Sequence, residues 1–398
     1  MSKPQRIAFL LGAGTSIPAG LPTTSQMTSR VLSGQDIIHH TDGTYYLEEP
    51  DADGMTIFDA HVQRVTLLLR RLQLEIERYY LYDFGVLTNY EDLYYLCSQI
   101  YDSEVREYEN PLVGAFVDRV AVDLHRICNW DVGSRIEPWD TQTLFREACN
   151  YTRDVVWRML LAKYARFDHL SCLVDACQDP DLTRVDVFTL NHDTLLERCF
   201  TDAGIGFNDG FGQPVNDVRY WNPSIMHSVD SSIRLLKLHG SIHWFRFPPN
   251  HLSVGPEAIG IPLTDDIWHT ISPAGQMQAP AGGRPVLLAG TFNKMLDYTT
   301  SIFADLHCLF REALRSTSRL IISGYGFGDK GINSQIVEWL YESTECGISL
   351  IHPTPTQCRT HSRGVIMKNW DHWLRDGRLR LIQSRIEDAP WAQVKDGA

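Results

Sequence analysis

Ile7-Ala8-Phe9-Leu10-Leu11-Gly12-Ala13-Gly14-Thr15-Ser16 decides how this chain folds. Its first five residues are apolar without interruption, too few for a helix, and predict a strand buried on both faces. The strand runs into Gly12-Ala13-Gly14, where glycine lets the backbone turn sharply and bring its N–H groups close to a phosphate. Thr15 and Ser16 are suited to cap a following helix, whose N-terminus attracts negative charge. The stretch therefore opens a βα unit of the phosphate-binding kind. The full G-x-G-x-x-G pattern needs glycine at position 17, where Ile17 stands instead. By itself the loop is either a phosphate site or a plain strand–turn–helix.

Composition narrows the class. A chain of 398 residues, 43% hydrophobic and 21% charged, has room for one large α/β domain with insertions or for two domains. The net charge of −13 argues against a broad nucleic-acid-binding face. Nine cysteines without a CxxC pair predict reduced thiols in a cytoplasmic protein, and Cys172 and Cys177 are spaced wrongly for a zinc knuckle. Lys3 and Arg6 ahead of Ile7–Leu11 imitate a signal peptide faintly, but the apolar run is short and breaks at Gly12. No apolar stretch reaches the roughly eighteen residues of a membrane span, so no membrane association is expected.

Outward from the first strand, Gln26–Leu32 predicts a helix and the polar stretch Ser33–Gly54 a loop or flap. Val62, Val65, Leu69, Leu72 and Ile76 share one face of a helix over Asp59–Tyr82. Asn89 caps another, with Leu93, Leu96 and Ile100 inward, and Asn110-Pro111 begins a third. Trp139–Arg166 predicts a long fourth. The aromatic segments Tyr79–Phe84 and Tyr90–Tyr95 suit helix core or a subunit contact better than base stacking. Residues 55–166 are thus expected to form a helical insertion in a domain of residues 1–54 and 167–398.

Strand and helix then alternate. Val185–Leu190 is a β-branched and aromatic strand, and Thr194-Leu195-Leu196-Glu197 has capping-box spacing for the next helix. Further strands are expected at Ile233–Leu238, Pro285–Ala289, Arg319–Ser323, Ile348–Ile351 and Leu379–Ile382, with helices at Ile302–Ser316 and Asn333–Glu342. Prolines and glycines between Trp244 and Gly283 predict a long loop. The fold expected is α/β and Rossmann-like, a mostly parallel sheet flanked by helices.

Polar clusters stand where strands end: Asn191-His192-Asp193, His239-Gly240-Ser241 and Gly324-Tyr325-Gly326-Phe327-Gly328-Asp329. In an open parallel sheet, ligands bind outside the carboxyl ends of the strands, so these clusters and Gly12–Ser16 point at one crevice. Taken in order, Gly12–Ser16, Gly20-Leu21-Pro22, Thr189–Asp193, Lys237–Ser241 and Gly324–Asp329 resemble the sirtuin-like NAD-consuming fold. The resemblance is to the bacterial branch that hydrolyses NAD+ in antiphage defence, and Asn208-Asp209-Gly210-Phe211 and Gly290-Thr291-Phe292-Asn293-Lys294 share in it.

That resemblance implies NAD+ as substrate and no metal. Asn191 would orient the ribose or an attacking water, and His239 would bond the ribose and act as general base. Asp193 would accept from the ribose or the glycine loop. Gly12, Ala13 and Ser16 would hold the diphosphate, with Gly14 and Thr15 completing the cofactor-binding loop. Gly324, Tyr325, Gly326, Phe327 and Asp329 would border the cofactor, and His352 would stand near the adenosine. The resemblance implies a separately encoded HerA-type DNA-translocase ATPase or an Argonaute-like protein as partner, hence only indirect contact with nucleic acid; the long insertion, rich in tyrosine and leucine, predicts a homo-oligomer. The departures weigh against protein deacylation. The two-CxxC zinc ribbon of sirtuin deacylases is missing, and Pro22-Thr23-Thr24-Ser25 replaces their phenylalanine–arginine pair. Gly326 replaces the serine of many relatives, so contacts there would use backbone. Deacylation and a non-enzymatic NAD- or ADP-ribose-sensing subunit remain the competing functions, and no acidic metal cluster is visible for a nuclease.

Plainer readings stand beside these. In the plainer readings, Asn191 closes a turn, Asp193 caps a helix, and His239 is a core histidine satisfied by backbone. His192, His239 and His243 with Asp193 would also suit a metal, although Gly240 breaks helical ligand spacing.

Overall fold

The computed structural model describes residues 5–48, 59–83, 87–107, 110–130, 137–227, 232–248, 257–291 and 293–395. The chain divides into two compact units. One comprises Met1–Leu21, Lys163–Leu288 and Met295–Ala398, the other Pro22–Ala162 and Ala289–Lys294.

The first unit is built on six strands: β1 (Gln5–Leu11), β2 (Leu182–Thr189), β3 (Ile233–Lys237), β4 (Arg319–Ser323), β5 (Gly347–Ile351) and β6 (Leu379–Ile382). All pair in parallel, in the order β6-β5-β4-β1-β2-β3. This is the doubly wound order of the expected Rossmann-like class. The chain lays β2 and β3 on one side of β1, then returns to lay β4, β5 and β6 on the other. The reversal falls between β1 and β4, and in such sheets the ligand crevice opens there, beyond the strands' carboxyl ends.

Both faces of the sheet are covered, which is why its strands are apolar without alternation. Ala8 and Leu10 join Phe188, Leu236 and Leu320 in one core, with Phe310, Ile336 and Trp370 from helices Ser301–Arg315, Lys330–Glu342 and Gly364–Arg375. Ile7, Phe9 and Leu11 face the other core beside Val187 and Leu235, under Leu173, Phe200 and Trp391 from helices Ser171–Cys177, Leu195–Asp202 and Trp391–Lys395. Each such large side chain contributes about 1.5–3 kcal/mol by leaving water, so the two layers fix the strand order that positions the site.

Several sequence expectations are corrected. No helix starts at Thr15 or Ser16: two 3-10 turns, Ala13–Thr15 and Ile17–Ala19, follow β1. The first α-helix begins at Thr24, with Thr23 and Gln26 forming its capping box. Thr194 makes no capping box either. Asp193 Oδ1 accepts the Leu195 N–H (3.0 Å), while Glu197 pairs with Lys237. The stretch expected as a long loop holds much of a four-stranded antiparallel sheet, in the order Pro285–Leu287, Gly240–Phe247, Ala258–Pro262, Val218–Tyr220. Pro285 therefore belongs to this sheet and not to the parallel one. Pro262 and Pro285 sit at strand ends, where a missing N–H costs the ladder little.

The second unit carries helices Thr24–Ser33, Ala60–Asp83, Tyr90–Glu104, Pro111–Cys128 and Thr141–Leu160. Asn89 caps the third in a capping box with Asp92, and Asn110 caps the fourth ahead of Pro111. The last starts at its Asp140 cap and ends at Leu160, short of Arg166. Ser33–Gly54 was expected as a loop, yet Ile37–His39 pairs with Tyr45–Leu47 as a hairpin; residues 49–54 lie outside the described residues, as do Phe84 and Phe292. Arg64 is fully buried, its guanidinium donating to Glu137 O (3.0 Å) and Trp130 O (2.8 Å) over the Trp139 ring. Of the aromatic segments, Tyr90 is buried and Tyr79 exposed.

Candidate active site

At the reversal point the turns leaving β1 and β4 interlock. The Gly12 N–H donates to Ser323 O (2.9 Å) and the Gly14 N–H to Gly324 O (3.0 Å). A Cβ on Gly12 would stand 2.5 Å from Gly324 O, and one on Gly324, where φ is +66°, 2.5 Å from the Thr15 nitrogen. Glycine is required at these positions by backbone approach. The Thr15 N–H and hydroxyl both turn to Gly12 O, and the Ser16 N–H to Ala13 O. Only the Ala13 N–H, at the exposed crest, donates to nothing among the described residues.

The β4 turn complements that crest. The N–H groups of Tyr325, Gly326, Phe327 and Gly328 donate to nothing among the described residues. A Cβ on Gly326 or Gly328 would meet nothing within 4 Å. The Tyr325 and Phe327 side chains are buried in the core, the Tyr325 hydroxyl donating to Asn333 Oδ1 (2.8 Å). They peg the turn, leaving Gly326 and Gly328 exposed, and Phe327 takes a left-handed φ of 56°. Consecutive N–H groups without a protein acceptor suit an anion.

On the other side of β1, the turn after β2 braces the glycine loop. Asn191 Nδ2 donates to Gly12 O (3.0 Å) and Ser16 Oγ (2.9 Å), and Ser16 Oγ donates to Asp193 Oδ2 (2.8 Å). A carbonyl acceptor at Gly12 fixes the amide orientation. Asn191 Oδ1 is left accepting no bond among the described residues. Asp193 caps its helix, as the plainer reading held, and also tethers Ser16. Its carbonyl accepts from the buried Lys237 ammonium. His169 bonds Thr15 O at 2.9 Å.

His239 follows β3, held by Leu238 N–H to Thr189 O (2.9 Å) and Leu288 N–H to His239 O (2.9 Å). Its imidazole is not satisfied by backbone alone. Nε2 lies 2.9 Å from the Tyr298 hydroxyl and 3.3 Å from Asp329 Oδ2, and the same hydroxyl donates to Asp329 Oδ2 at 2.7 Å. Asp329 Oδ1 caps helix Lys330–Glu342 through the Ile332 N–H (3.0 Å). Behind Tyr298, His307 stacks at 3.7 Å. Burial, then the neighbouring His239, hold His307 down to about 3, so it stays neutral. Its Nδ1 faces the Gln335 amide at 2.9 Å. The His192 and His239 rings are 6.3 Å apart, and Ile242 N–H to His192 O (3.0 Å) ties the two turns.

The structure thus brings Gly12–Ser16 together with Asn191 and Asp193, and His239 together with Asp329. His352 ends β5, one strand further out, its Nδ1 accepting the Thr354 N–H (3.0 Å). Tyr298, His169 and the Lys237 brace were not nominated by sequence. Tyr298 lies outside every motif, and only the fold carries it to His239. Among the described residues no group of three or more His, Cys, Asp or Glu is placed to hold a metal, and no helix is long and apolar enough to cross a membrane.

The profile of the SIR2-like domain matches residues 185–357, a span holding Asn191, His239, Gly324–Asp329 and His352. No curated protein matches the chain. Similar solved structures include a Sir2 homolog–NAD complex, 12% identical, covering 99% of this chain and 90% of that one at a TM-score of 0.39. A Sir2 homologue mutant with ADP-ribose is 11% identical, with coverage of 99% and 92% and a TM-score of 0.39.

Proposed function

We propose that this protein is an NAD+ glycohydrolase, cleaving NAD+ to nicotinamide and ADP-ribose. The observation that carries the reading is the convergence of backbone donors, Asn191 Oδ1 and the His239–Asp329–Tyr298 cluster beyond the carboxyl ends of β1 to β4. The SIR2-like match over 185–357 supports it.

The chemistry asks for few groups. The bond from ribose C1′ to the pyridinium nitrogen breaks with its electron pair going to nitrogen, which leaves as neutral nicotinamide. Little acid assistance is needed, and the demand falls on a cationic, oxocarbenium-like sugar and a placed water. The N–H groups of Ala13 and 325–328 hold the diphosphate. Asn191 Oδ1, the negative end of a fixed amide dipole, accepts from water or ribose hydroxyl. His239 takes the water's proton as its oxygen bonds to C1′, and Asp329 stabilises the imidazolium that results. His352 lies toward the adenosine end. The direct test is release of nicotinamide and ADP-ribose from NAD+ by purified protein; no release, alone or with a partner, rejects the reading.

This scheme routes no electron pair through a Lewis acid. Activity is therefore expected to survive exhaustive chelation, measured as NAD+ turnover before and after EDTA with the metal content recorded. Stoichiometric zinc whose removal stops turnover would reverse that reading.

We extend the proposal to regulation. An unrestrained NAD+ hydrolase in the cytoplasm would drain its host, so a bacterial antiphage role implies gating by assembly, with a HerA-type ATPase or Argonaute-like partner as the resemblance suggests. The helical unit exposes Leu74, Tyr79, Leu112 and Val122, apolar side chains suited to cover by another subunit. The expectation is a homo-oligomer whose turnover changes when the partner is added, read as solution mass and NAD+ turnover with and without it. A monomer with full constitutive activity would sink this extension.

A further inference from the structure

With the diphosphate at the reversal between β1 and β4 and the scissile bond at His239 beyond β3, the rest of the dinucleotide runs the other way, over the ends of β4 and β5. The adenosine ribose then meets the segment that leaves β5. In dinucleotide sites a carboxylate at the ribose accepts its hydroxyls and repels a 2′-phosphate, whereas an arginine nearby accommodates one. The charge of this segment therefore decides which dinucleotide fits.

No carboxylate stands in it. From His352 through Trp370 the chain has no Asp or Glu, although it holds 49 of them in all, and Arg359, Arg363 and Lys368 fall within that run. Against a net charge of −13 this is a local reversal of sign. Arg359 is spent on Asp371 (2.5 Å). Arg363 is exposed, and its guanidinium makes no ion pair or hydrogen bond among the described residues. The segment is held against the β4 turn, since Cys358 is buried with its Sγ 4.0 Å from Tyr325 O. Burial, then the Asp329 charge, push the Tyr325 hydroxyl well up, and the Arg363 charge opposes them, so this free cation acts on the same turn.

His352 adds a donor. Its Nδ1 accepts the Thr354 N–H (3.0 Å), so the proton of the neutral ring sits on Nε2. Burial lowers its pKa and keeps it in that form. A ribose hydroxyl accepts such a bond, but a phosphate accepts it with charge and about twice the strength.

We infer that the adenosine end of the crevice takes a 2′-phosphate, so that NADP+ binds at least as well as NAD+, with His352 Nε2 donating to the phosphate and Arg363 neutralising it. The inference rests on the dinucleotide site proposed above and concerns which dinucleotide enters it. Cleavage runs as for NAD+: water adds at C1′, nicotinamide leaves with the electron pair, and the second product is 2′-phospho-ADP-ribose.

The probes are the two cleaved nucleotides, ADP-ribose and 2′-phospho-ADP-ribose, titrated calorimetrically into the full-length protein so that binding is read without turnover. The 2′-phosphorylated form is expected to bind at least as tightly as ADP-ribose. Arg363→Ala, at an exposed position that leaves the fold alone, should cut the ratio of the two affinities at least about tenfold, the loss of one charge-assisted contact, and Arg363→Lys should keep most of it. His352→Asp supplies the missing carboxylate and should reverse the preference in favour of ADP-ribose, a change of sign that a merely structural role for the ring would not produce. ADP-ribose bound with its 2′-phosphate rejected by tenfold or more, or a ratio unmoved by Arg363→Ala and His352→Asp, would overturn the inference and leave the NAD+ site standing. Binding of neither nucleotide would overturn the site as well.

Discussion

Replacing His239 by alanine is expected to lower NAD+ turnover by about 10²–10⁴-fold, the usual worth of a positioned general base. The side chain is 4% exposed and ends β3 beside the Asn191 turn. Its Nε2 is already oriented by Tyr298 and Asp329. Loss of the imidazole leaves those two bonded to each other (2.7 Å), so the protein should still fold. Asn191→Ala should cost a comparable factor for a different reason: it removes Oδ1 and also the donors that hold Gly12 O and Ser16 Oγ. Asp329→Asn separates a base from a structural histidine. The Asp329 anion favours the imidazolium, so neutralising it makes His239 harder to protonate and moves the acid limb of the rate profile to lower pH. A purely structural role would change rate or melting without moving that limb. Turnover is read as nicotinamide release across pH, beside circular dichroism. Wild-type turnover in a folded His239→Ala protein rejects the assignment.

What the sequence made legible follows from which forces act locally. The apolar runs of β1, β2 and β4 were readable because strands covered on both faces need no alternation, and such runs are too short for helices. Caps at Asn89 and Asn110 were readable because a cap and its N–H partners lie within three residues. The Thr194 capping box failed because Lys237, forty-odd positions away, takes Glu197 (3.0 Å). The antiparallel sheet was missed because two of its strands are only three residues long, Pro262 read as a loop signal, and Pro285–Leu287 and Val218–Tyr220 pair with strands about forty residues away. In the candidate site, the residues at strand ends announced themselves through parallel-sheet logic. Tyr298 precedes helix Ser301–Arg315 in a segment with no motif. Ser16 serves as an internal brace because of Asp193, far along the chain, while Thr15 bonds back to Gly12 O three residues earlier where a cap would bond forward.

Two glycines of the β4 turn should respond in opposite ways, one in stability and one in binding. Gly324→Ala places a methyl 2.5 Å from the Thr15 nitrogen and 2.8 Å from Gly12 O, at φ +66°. Backbone at both contacts cannot rotate aside. The left-handed conformation costs about 1–2 kcal/mol and the overlap another 1–3, together about 3 kcal/mol. That corresponds to a fall in Tm of about 6–12 °C for a unit of this size, and the β1–β4 junction loosens with it. Gly326 has ordinary φ and open space around its Cα, so Gly326→Val should leave Tm unchanged within about 0.5 kcal/mol of stability. The isopropyl group nevertheless projects over the N–H groups proposed to hold the diphosphate. NAD+ affinity should therefore drop about tenfold or more in a protein that melts like wild type, since each charge-assisted bond to an anion is worth about 1.5–3 kcal/mol. Melting by calorimetry and NAD+ binding by titration read the two effects separately. A stable Gly324→Ala variant would show that the interlock is not tight. Unchanged NAD+ affinity in Gly326→Val would move the diphosphate away from the β4 turn.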